Sequence, residues 1–383
     1  MKYADLIAKL TLEEKAGLTS GRDFWHTKAV ERLGIPSEMM TDGPHGLRKQ
    51  ESDSDALGLG RSVPATCFPT ASALANSWDE TLLSAVGRAL GEEAVAQGVG
   101  MVLGPGVNIK RSPLCGRNFE YSSEAPLLSG KLAAAMIRGI QSTGVSACVK
   151  HFAANSQELR RMATDSVIDE RTLREIYLPA FKAAVQEGGA WAVMGAYNKY
   201  KGEHCCHNQY LLNDILKRDW AFDGVVISDW GGVHDTREAI FKGLDMEFGS
   251  WTNGLSEGAS NAYDSYYLAL PYLNKIRSGE VGTEELDAKV RNVLRLAFRT
   301  VMDRNRPLGS LCSDAHYAAA RQIAGEGIVL LKNDADLLPM EVKKGSTILV
   351  VGENAVKMMT VGGGSSSLKV QREISPLEGI RER

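Results

Sequence analysis

One carboxylate in the sequence stands where a catalytic group is expected. Residues 224–235 read GVVISDWGGVHD, and the β-branched run 225–227 is typical of a strand buried on both faces. Asp229 follows at the strand end where parallel α/β proteins bind their ligands. It could act as a nucleophile, or it could merely cap the next helix or pair with a buried base. Trp230 beside it presents a flat apolar ring with one N–H donor, a shape suited to stacking on a cyclic ligand.

Further polar and aromatic side chains fall at or just beyond the ends of other predicted strands. The set that would meet Asp229 at one barrel mouth comprises Asp42, Arg48, Arg117, Lys150, His151, Arg161, Tyr197 and Trp230. Taken singly, each has an ordinary explanation, such as a surface ion pair, a solvated lysine or a core histidine. Together they suit a neutral polyhydroxylated ligand, because each hydroxyl can both donate and accept a hydrogen bond. The cations of the set would also keep Asp229 ionised.

Short apolar runs alternate with helical periods through most of the chain. The predicted strands are residues 36–40, 70–74, 101–103, 145–149, 190–196 and 225–227, and the predicted helices are residues 79–97, 126–143, 169–187 and 284–301. Six or seven strand-then-helix units without a long all-β block indicate a parallel barrel or a doubly wound sheet. The count favours a TIM-type (β/α)8 barrel, to which we assign residues 1–303 as the catalytic domain.

A polar turn cluster at residues 305–310 marks the best domain boundary, so we assign residues 304–314 to a linker. Residues 315–383 would then form the N-terminal part of a second α/β domain. This stretch is about half of a typical domain, which predicts that the second domain is incomplete in this chain.

The pattern within that second part predicts one helix, two strands and a loop. The helix is expected at residues 315–324 and the strands at residues 328–331 and 347–351. The loop at residues 362–367, GGGSSS, has the composition of a flexible linker. It lacks the Gly-Lys-Ser/Thr ending of a phosphate-binding loop, so no nucleotide site is predicted there.

Composition argues against several classes of function. The 383 residues carry a net charge of -3, which gives no electrostatic field that would attract nucleic acid or an anionic membrane. Residues 1–10 lack the apolar core of a signal peptide and no stretch is long enough to span a bilayer, so we expect a cytoplasmic protein. The six scattered cysteines fit reduced thiols. Residues 204–207, HCCH, lack the usual spacers of a metal site, and neither a metal nor a cofactor is predicted.

Five ordered motifs carry a family resemblance. They read MTDGPHGLR, GRNFEYSSEAPLLSG, KHFAANSQE, MGAYNK and VVISDWGGVHD, and they closely resemble the catalytic barrel of glycoside hydrolase family 3, especially its β-glucosidases. IVLLKND and GGGSSS resemble the opening of that family's second, α/β sandwich domain. The resemblance implies that Asp229 is the nucleophile of a retaining mechanism. It also implies a subsite for the non-reducing sugar lined by Asp42, Arg48, Arg117, Lys150, His151, Arg161, Met194, Tyr197 and Trp230.

A retaining glycosidase also needs an acid/base group, and the resemblance supplies no residue for it here. Relatives with the sandwich domain draw an acid/base glutamate from a part of that domain that would lie beyond Arg383. A single-domain branch uses a histidine-containing loop, for which residues 153–156, AANS, offer no equivalent. Glu120, Glu124 and Glu353 are not assigned to the role. We therefore expect an impaired, truncated chain in which activated aryl glycosides suffer least. Ser122 and Ala125 also depart from the family pattern, which puts the details of their loop in doubt.

Two other functions remain open. Lys150 at a strand end could form a Schiff base in an aldolase barrel. A sugar-binding protein could keep the pocket and lack turnover. The expected partner is a β-glucoside or a short oligosaccharide, with no nucleic acid or membrane, and the chain could self-associate or associate with the missing C-terminal part. Sugar, linkage and aglycone preference stay open, because epimers differ by one hydroxyl.

Overall fold

The computed structural model describes residues 3–51, 62–249, 265–360 and 366–383. The strands are β1 Met40–Asp42, β2 Pro64–Ala65, β3 Met101–Leu103, β4 Ser146–Phe152, β5 Asp165–Ser166, β6 Ala192–Gly195, β7 Lys199–Tyr200, β8 Glu203–His204, β9 Val225–Ile227 and β10 Lys369–Val370. The α-helices are α1 Ala4–Lys9, α2 Leu12–Leu18, α3 Ala71–Ala75, α4 Glu80–Ala96, α5 Pro126–Gln141, α6 Glu170–Thr172, α7 Pro179–Gln186, α8 Thr236–Phe241, α9 Leu270–Arg277, α10 Glu284–Arg299, α11 Asp314–Glu326 and α12 Pro376–Arg381.

Five parallel strands form the wall that carries the candidate site. Their order is β1-β3-β4-β6-β9, and neighbours pair in parallel throughout. All residues of these five strands are buried, as expected for a sheet covered on both faces. The parallel order brings the C-terminal ends of the strands to one mouth.

Three irregular segments close this wall into a barrel. The closing bridges join Ile227 to Met246, Ser20 to Glu247, Gly21 to Thr27 and His26 to Met39. The first two bridges are parallel, whereas the last two are antiparallel because the chain turns back on itself between residues 21 and 27. The predicted barrel is therefore confirmed, with one stretch of its wall built by an antiparallel turn instead of a strand-then-helix unit.

Helices α4 and α5 cover the outside of β3 and β4. The Asp79 side chain caps α4 by accepting from the backbone N–H groups of Thr81 and Leu82. The backbones of the two helices are in direct contact, since a Cβ atom at Gly139 would lie 2.2 Å from the Ser84 carbonyl oxygen. This close packing holds the strands behind the site.

Two kinds of sequence prediction were wrong. Residues 70–74 were predicted as a strand, but Ala71–Ala75 forms helix α3, in keeping with the high helix propensity of its three alanines. Residues 328–331 and 347–351 were predicted as strands, but neither is paired into a sheet with any described residue. Their side chains are largely exposed, with Leu331 at 91% and Leu349 at 84%. An apolar run becomes a strand only where a neighbouring backbone accepts its hydrogen bonds.

The contacts of the last part of the chain with the barrel include a helix and a strand pair. Helix α11 lies on α3 and α4, and it confirms the helix predicted at residues 315–324. Strand β10 pairs in parallel with β2. The assignment of residues 304–314 as a linker between two domains stays a prediction. The GGGSSS loop at residues 362–367 lies mostly outside the described residues. Within the described ranges, no helix combines the length and the apolar composition needed to cross a membrane.

Candidate active site

Asp229 lies two residues beyond β9, at the mouth of the barrel. Its Oδ1 accepts from the backbone N–H of Trp230 at 2.8 Å, and its Oδ2 lies 3.6 Å from Nε2 of His151. The residue is 8% exposed, so its carboxylate is largely enclosed yet not sealed from the mouth. It neither caps helix α8, whose cap is Asp235, nor forms a close pair with a buried base.

Lys150 and Arg48 bind a second carboxylate, that of Asp42. Arg48 Nη1 donates to Asp42 Oδ2 at 2.9 Å, and Lys150 Nζ lies 3.6 Å from Asp42 Oδ1. Lys150 Nζ also lies 3.9 Å from Oε2 of Glu120. All four residues are at least nine-tenths buried. The ends of β1 and β4 therefore share one network of alternating charges.

Arg117 connects this network to Asp229 through His151. Its Nε donates to Oε1 of Glu120, and its Nη2 lies 3.0 Å from Nε2 of His151. Because a guanidinium can only donate, Nε2 of His151 is the acceptor and its proton resides on Nδ1. Nδ1 lies 3.0 Å from the hydroxyl of Tyr121, which accepts it. The imidazole is therefore neutral, and its contact with Asp229 is not an ion pair.

Electrostatics agree with a neutral imidazole. Burial lowers the pKa of His151 well below its usual range, and the positive charges of Arg117, Lys150 and Arg161 lower it further. Burial raises the pKa of Asp229, although Arg117 and Lys150 oppose this effect. The expectation that nearby cations control the ionisation of Asp229 was therefore incomplete, since burial has the larger effect.

Arg161, Tyr197 and Glu158 form a second group of contacts at the mouth. The Arg161 guanidinium lies 4.5 Å from the centre of the Tyr197 ring, and its Nη1 donates to Oε2 of Glu158 at 2.8 Å. The Tyr197 hydroxyl donates to the carbonyl oxygen of Trp230 at 2.8 Å. Glu158 Oε1 also lies 4.0 Å from Nη1 of Arg117, so one carboxylate serves two arginines.

Trp230 is held within an aromatic group at the edge of the mouth. Its Nε1 donates to the carbonyl oxygen of Phe24 at 2.8 Å. Its ring stacks on Phe248 with centroids 5.3 Å apart, and the Trp25 ring lies 5.5 Å away. These contacts fix the orientation of a ring that is itself only partly buried.

The backbone around Asp229 is supported from behind by Cys206. A Cβ atom at Gly232 would lie 2.6 Å from its sulfur, and one at Gly195 would lie 3.0 Å from it. The thiol donates to the carbonyl oxygen of Ala196 at 3.4 Å. In the HCCH stretch, Cys205 likewise donates to Ala153, so both thiols act in packing and hydrogen bonding.

Two family models match the sequence. The glycosyl hydrolase family 3 N terminal domain matches residues 11–296, and the glycosyl hydrolase family 3 C-terminal domain matches residues 328–383. The chain belongs to glycosyl hydrolase family 3.

Among the family 3 relatives, thermostable beta-glucosidase B of Acetivibrio thermocellus is 50% identical over 98% of this chain and 48% of its own length. An exo-alpha-(1->6)-L-arabinopyranosidase of Bifidobacterium longum is 42% identical over 98% of this chain and 49% of its own length. The structure of beta-glucosidase 3B from Thermotoga neapolitana in complex with glucose superposes with a TM-score of 0.89, at 35% identity, and covers 100% of this chain and 54% of that one. The chain thus spans about half the length of these family 3 relatives.

The structure brings the predicted family 3 site residues together at one mouth. Asp42, Arg48, Lys150, Arg117, His151 and Asp229 form one linked network, and Arg161, Tyr197 and Trp230 form a second that joins it through Glu158. Met194, the third residue of β6, pairs with Ile227 in register and is buried, but it contributes no polar atom to either network.

Sequence reasoning missed four residues that hold the others in place. Tyr121 fixes the tautomer of His151, Asn155 donates to the Tyr121 hydroxyl at 3.2 Å, and Glu158 pairs with two arginines. The fourth is Asn108, whose side chain binds both the N–H and the carbonyl of His151. The first three lie within recognised motifs, but nothing in spacing alone shows which side chains support a neighbour.

None of the glutamates considered earlier is a free acid/base. Glu120 is bound by Arg117 and Lys150. Glu124 is exposed, and Glu353 is exposed in the short turn Glu353–Ala355. A groove of 1730 Å³ lies near the network, lined in part by His45, Phe119 and α11, but none of the predicted site residues borders it.

Proposed function

We propose that this chain forms the sugar-binding barrel of a retaining β-glucosidase. The enzyme would release terminal non-reducing β-D-glucosyl or closely related residues through a covalent intermediate on Asp229. The observation that carries the proposal is the position of the Asp229 carboxylate, which lies at the end of β9 beside Arg117, Lys150 and His151. Membership of family 3 and the beta-glucosidases among its relatives support the same activity.

The geometry suits a nucleophile better than a proton donor. Asp229 Oδ1 is held by the Trp230 N–H, and the lone pair of His151 Nε2 is taken up by Arg117. The carboxylate therefore has a fixed orientation and no acidic neighbour to protonate it. In the first step it attacks the anomeric carbon and the bond to the leaving oxygen breaks, and in the second step water releases the sugar from the ester.

The remaining site residues would bind the sugar in the subsite that precedes the cleaved bond. Asp42 can accept from sugar hydroxyls, while the cations can donate to their oxygen atoms. Trp230 would provide the apolar platform for a ring face. The full set proposed for this role is Asp42, Arg48, Arg117, Lys150, His151, Arg161, Met194, Tyr197 and Trp230.

The acid/base group is proposed to come from outside this chain. Among the described residues, the carboxyl groups that join the networks around Asp229 are Asp42, Glu120 and Glu158, and each is paired with a lysine or an arginine. The greater length of the relatives is consistent with such a contribution. Leaving groups that depart without protonation would bypass the requirement.

Labelling with 2,4-dinitrophenyl 2-deoxy-2-fluoro-β-glucoside tests the proposal on this chain, because that leaving group needs no general acid. We expect mass spectrometry to find the fluorosugar on the peptide that contains Asp229. The variant Asp229→Ala should take up no label. The matched control Asp235→Asn alters an exposed carboxylate of the same loop and should label normally. Label on another residue, or none on the unaltered chain, would refute the assignment.

The sugar itself is the least constrained part of the proposal. The arabinopyranosidase among the relatives shows that the family 3 barrel can serve another sugar. Hydrolysis of a panel of aryl glycosides by the complete enzyme would rank glucosides, xylosides and arabinosides. Binding of glucose without any hydrolysis would instead favour a sugar-binding protein. The Schiff-base alternative finds less support, because Lys150 Nζ lies between the carboxylates of Asp42 and Glu120.

We also propose that the protein acts in the cytoplasm, where its six cysteines would remain reduced, as all six are free thiols in the structure. The exposed apolar side chains of residues 328–351 would be covered by further protein, either a second copy of this chain or the rest of the sandwich domain. Size-exclusion chromatography with light scattering would distinguish self-association from a monomer.

A further inference from the structure

The turn that presents Asp42 and Arg48 is a tight hairpin with a crowded tip. Asp42 and Arg48 face each other across it, with the Arg48 N–H donating to the Asp42 carbonyl oxygen at 3.0 Å. Gly46 at the tip has no room for a side chain, since a Cβ atom there would lie 2.7 Å from the Thr66 carbonyl oxygen and 2.8 Å from Cδ2 of Leu368. Thr66 of the barrel and Leu368 of the C-terminal part of the chain therefore both lie directly against Gly46 at the tip.

The barrel side of this contact is firmly anchored. Phe68 N–H donates to the His45 carbonyl oxygen at 2.8 Å, which ties the turn to the segment after β2. Thr66 in that segment is bound through its hydroxyl and its N–H to Glu93 of α4. This side therefore forms a rigid support against which the turn can be pressed.

Leu368 supplies the second contact. It is 1% exposed, whereas Lys369, which follows it, is exposed. It directly precedes β10, whose pairing with Pro64–Ala65 fixes its position along the turn. A buried leucine held by strand pairing against a glycine tip acts as a clamp on the turn.

We propose that Leu368 is a positioning residue for the sugar site, one that holds Asp42 and Arg48 in place from the second part of the chain. Leu368 touches no sugar itself. It packs on Gly46 beside Thr66, and the 43–47 tip determines where the two charged side chains at its base meet Lys150. This inference rests on the proposed function, because it assigns a purpose to the geometry of that sugar site.

Truncating Leu368 should weaken sugar binding, and this effect should exceed what the loss of folding stability alone would explain. In the full natural chain we expect Leu368→Ala to raise KM for an aryl β-glucoside and the inhibition constant of glucose together, each by roughly tenfold, because small displacements of positioning groups are costly. Leu368→Met should restore both constants to within about twofold, since it refills the volume. Should Leu368→Ala fail to fold, Leu368→Val makes a smaller cavity and serves the same comparison.

The matched control is Ile323→Ala. Ile323 is fully buried on α11, so its truncation loosens the packing of α11 without touching the 43–47 tip. Melting temperatures should fall comparably in Leu368→Ala and Ile323→Ala, whereas only Leu368→Ala should alter KM and the glucose constant. Unchanged constants in Leu368→Ala, or an equal rise in Ile323→Ala, would overturn the inference while leaving the proposed function intact. An unaltered enzyme that neither binds glucose nor hydrolyses glucosides would remove the proposed function and the inference with it.

Discussion

Arg117 donates from Nη2 to Nε2 of His151 across 3.0 Å, and this bond leaves the imidazole nitrogen that faces Asp229 without a proton to donate. Arg117 also opposes the rise that burial causes in the pKa of Asp229. A nucleophilic carboxylate must be ionised, so kcat/KM should fall as the pH drops through the pKa of Asp229.

Replacing Arg117 should therefore move the acid limb of the pH profile. With the positive charge gone in Arg117→Gln, the pKa of Asp229 rises and kcat/KM should begin to fall at a higher pH than in the unaltered enzyme. The measurement is kcat/KM for an activated aryl glucoside across the acid range. Arg171→Gln, which alters an arginine with a side chain that is 83% exposed, should leave the limb in place. An acid limb that stays put in Arg117→Gln would mean that another group controls it.

Substitution of Glu158 tests whether its pairing with Arg161 and Arg117 contributes to sugar binding. Glu158→Gln keeps the shape of the side chain but removes the charge that Arg161 and Arg117 share. We expect KM to rise roughly tenfold, the scale of one hydrogen bond to a charged group. Glu187→Gln removes an exposed carboxylate that pairs with Lys131 and is the control for loss of charge alone. Equal effects of the two variants would exclude a specific role for Glu158.

Glu38 should make the fold weaker at high pH. It is 3% exposed, accepts from the Thr300 hydroxyl at 2.8 Å, and burial raises its pKa from 4.5 to about 7. Because the folded pKa lies above the unfolded one, ionisation opposes folding, and stability is lost as the pH rises between these two values.

We expect Glu38→Gln to remove this dependence and to gain up to roughly 3 kcal/mol at alkaline pH. Urea unfolding of both proteins at about pH 5 and about pH 8.5 measures the difference. The control Glu175→Gln changes an exposed glutamate and should follow the unaltered protein. A free energy of unfolding that does not depend on pH in the unaltered protein would contradict this account of Glu38.

His316 should make the attachment of α11 depend on pH. Burial alone would lower its pKa, but hydrogen bonds to Glu93 and Glu92, each at 3.0 Å, raise it on balance. The stabilisation is therefore present below the pKa of an unfolded histidine and is lost as the pH rises through the folded value. Since α11 follows residues 304–314, weaker attachment should expose that segment to protease.

Limited trypsin digestion at about pH 6 and about pH 8.5 measures the effect, because the bond between Arg304 and Asn305 lies in the segment. Cleavage should be faster at the higher pH in the unaltered chain and fast at both in His316→Gln. His234→Gln, at an exposed histidine, should behave as the unaltered chain does. Cleavage of His316→Gln that still slows at low pH would argue against the histidine.

The strand ends could be predicted from sequence because a buried parallel strand appears as a short, continuous run of apolar residues. Val225–Ile227 and Ala192–Gly195 are apolar runs of strand length, and the residues that follow them must lie at one mouth. Tyr197 and Asp229 do follow such strands in the structure, whereas Lys150, expected just after a strand at residues 145–149, lies within β4. The same signal failed at residues 328–331, because whether an apolar run forms a strand depends on a partner backbone that local sequence does not encode.

The protonation states of the site residues could not be predicted from the sequence, for a different reason. That His151 is neutral follows from one arginine on Nε2 and one tyrosine on Nδ1, contacts between loops 30 or more residues apart. The balance of burial and charge at Asp229 likewise depends on three-dimensional distances. The antiparallel turn that closes the barrel was missed because residues 21–27 contain no apolar run to suggest a strand.

Cys206 limits how the neighbourhood of Asp229 can be redesigned. A side chain at Gly232 would collide with the sulfur of Cys206, and one at Gly195 would collide with both its Cα and its sulfur. A mutational library intended to change sugar preference should keep these three positions fixed and diversify Met194 and Arg161 instead. Thiol-reactive reagents should also be poor inhibitors through Cys206, because it is fully buried.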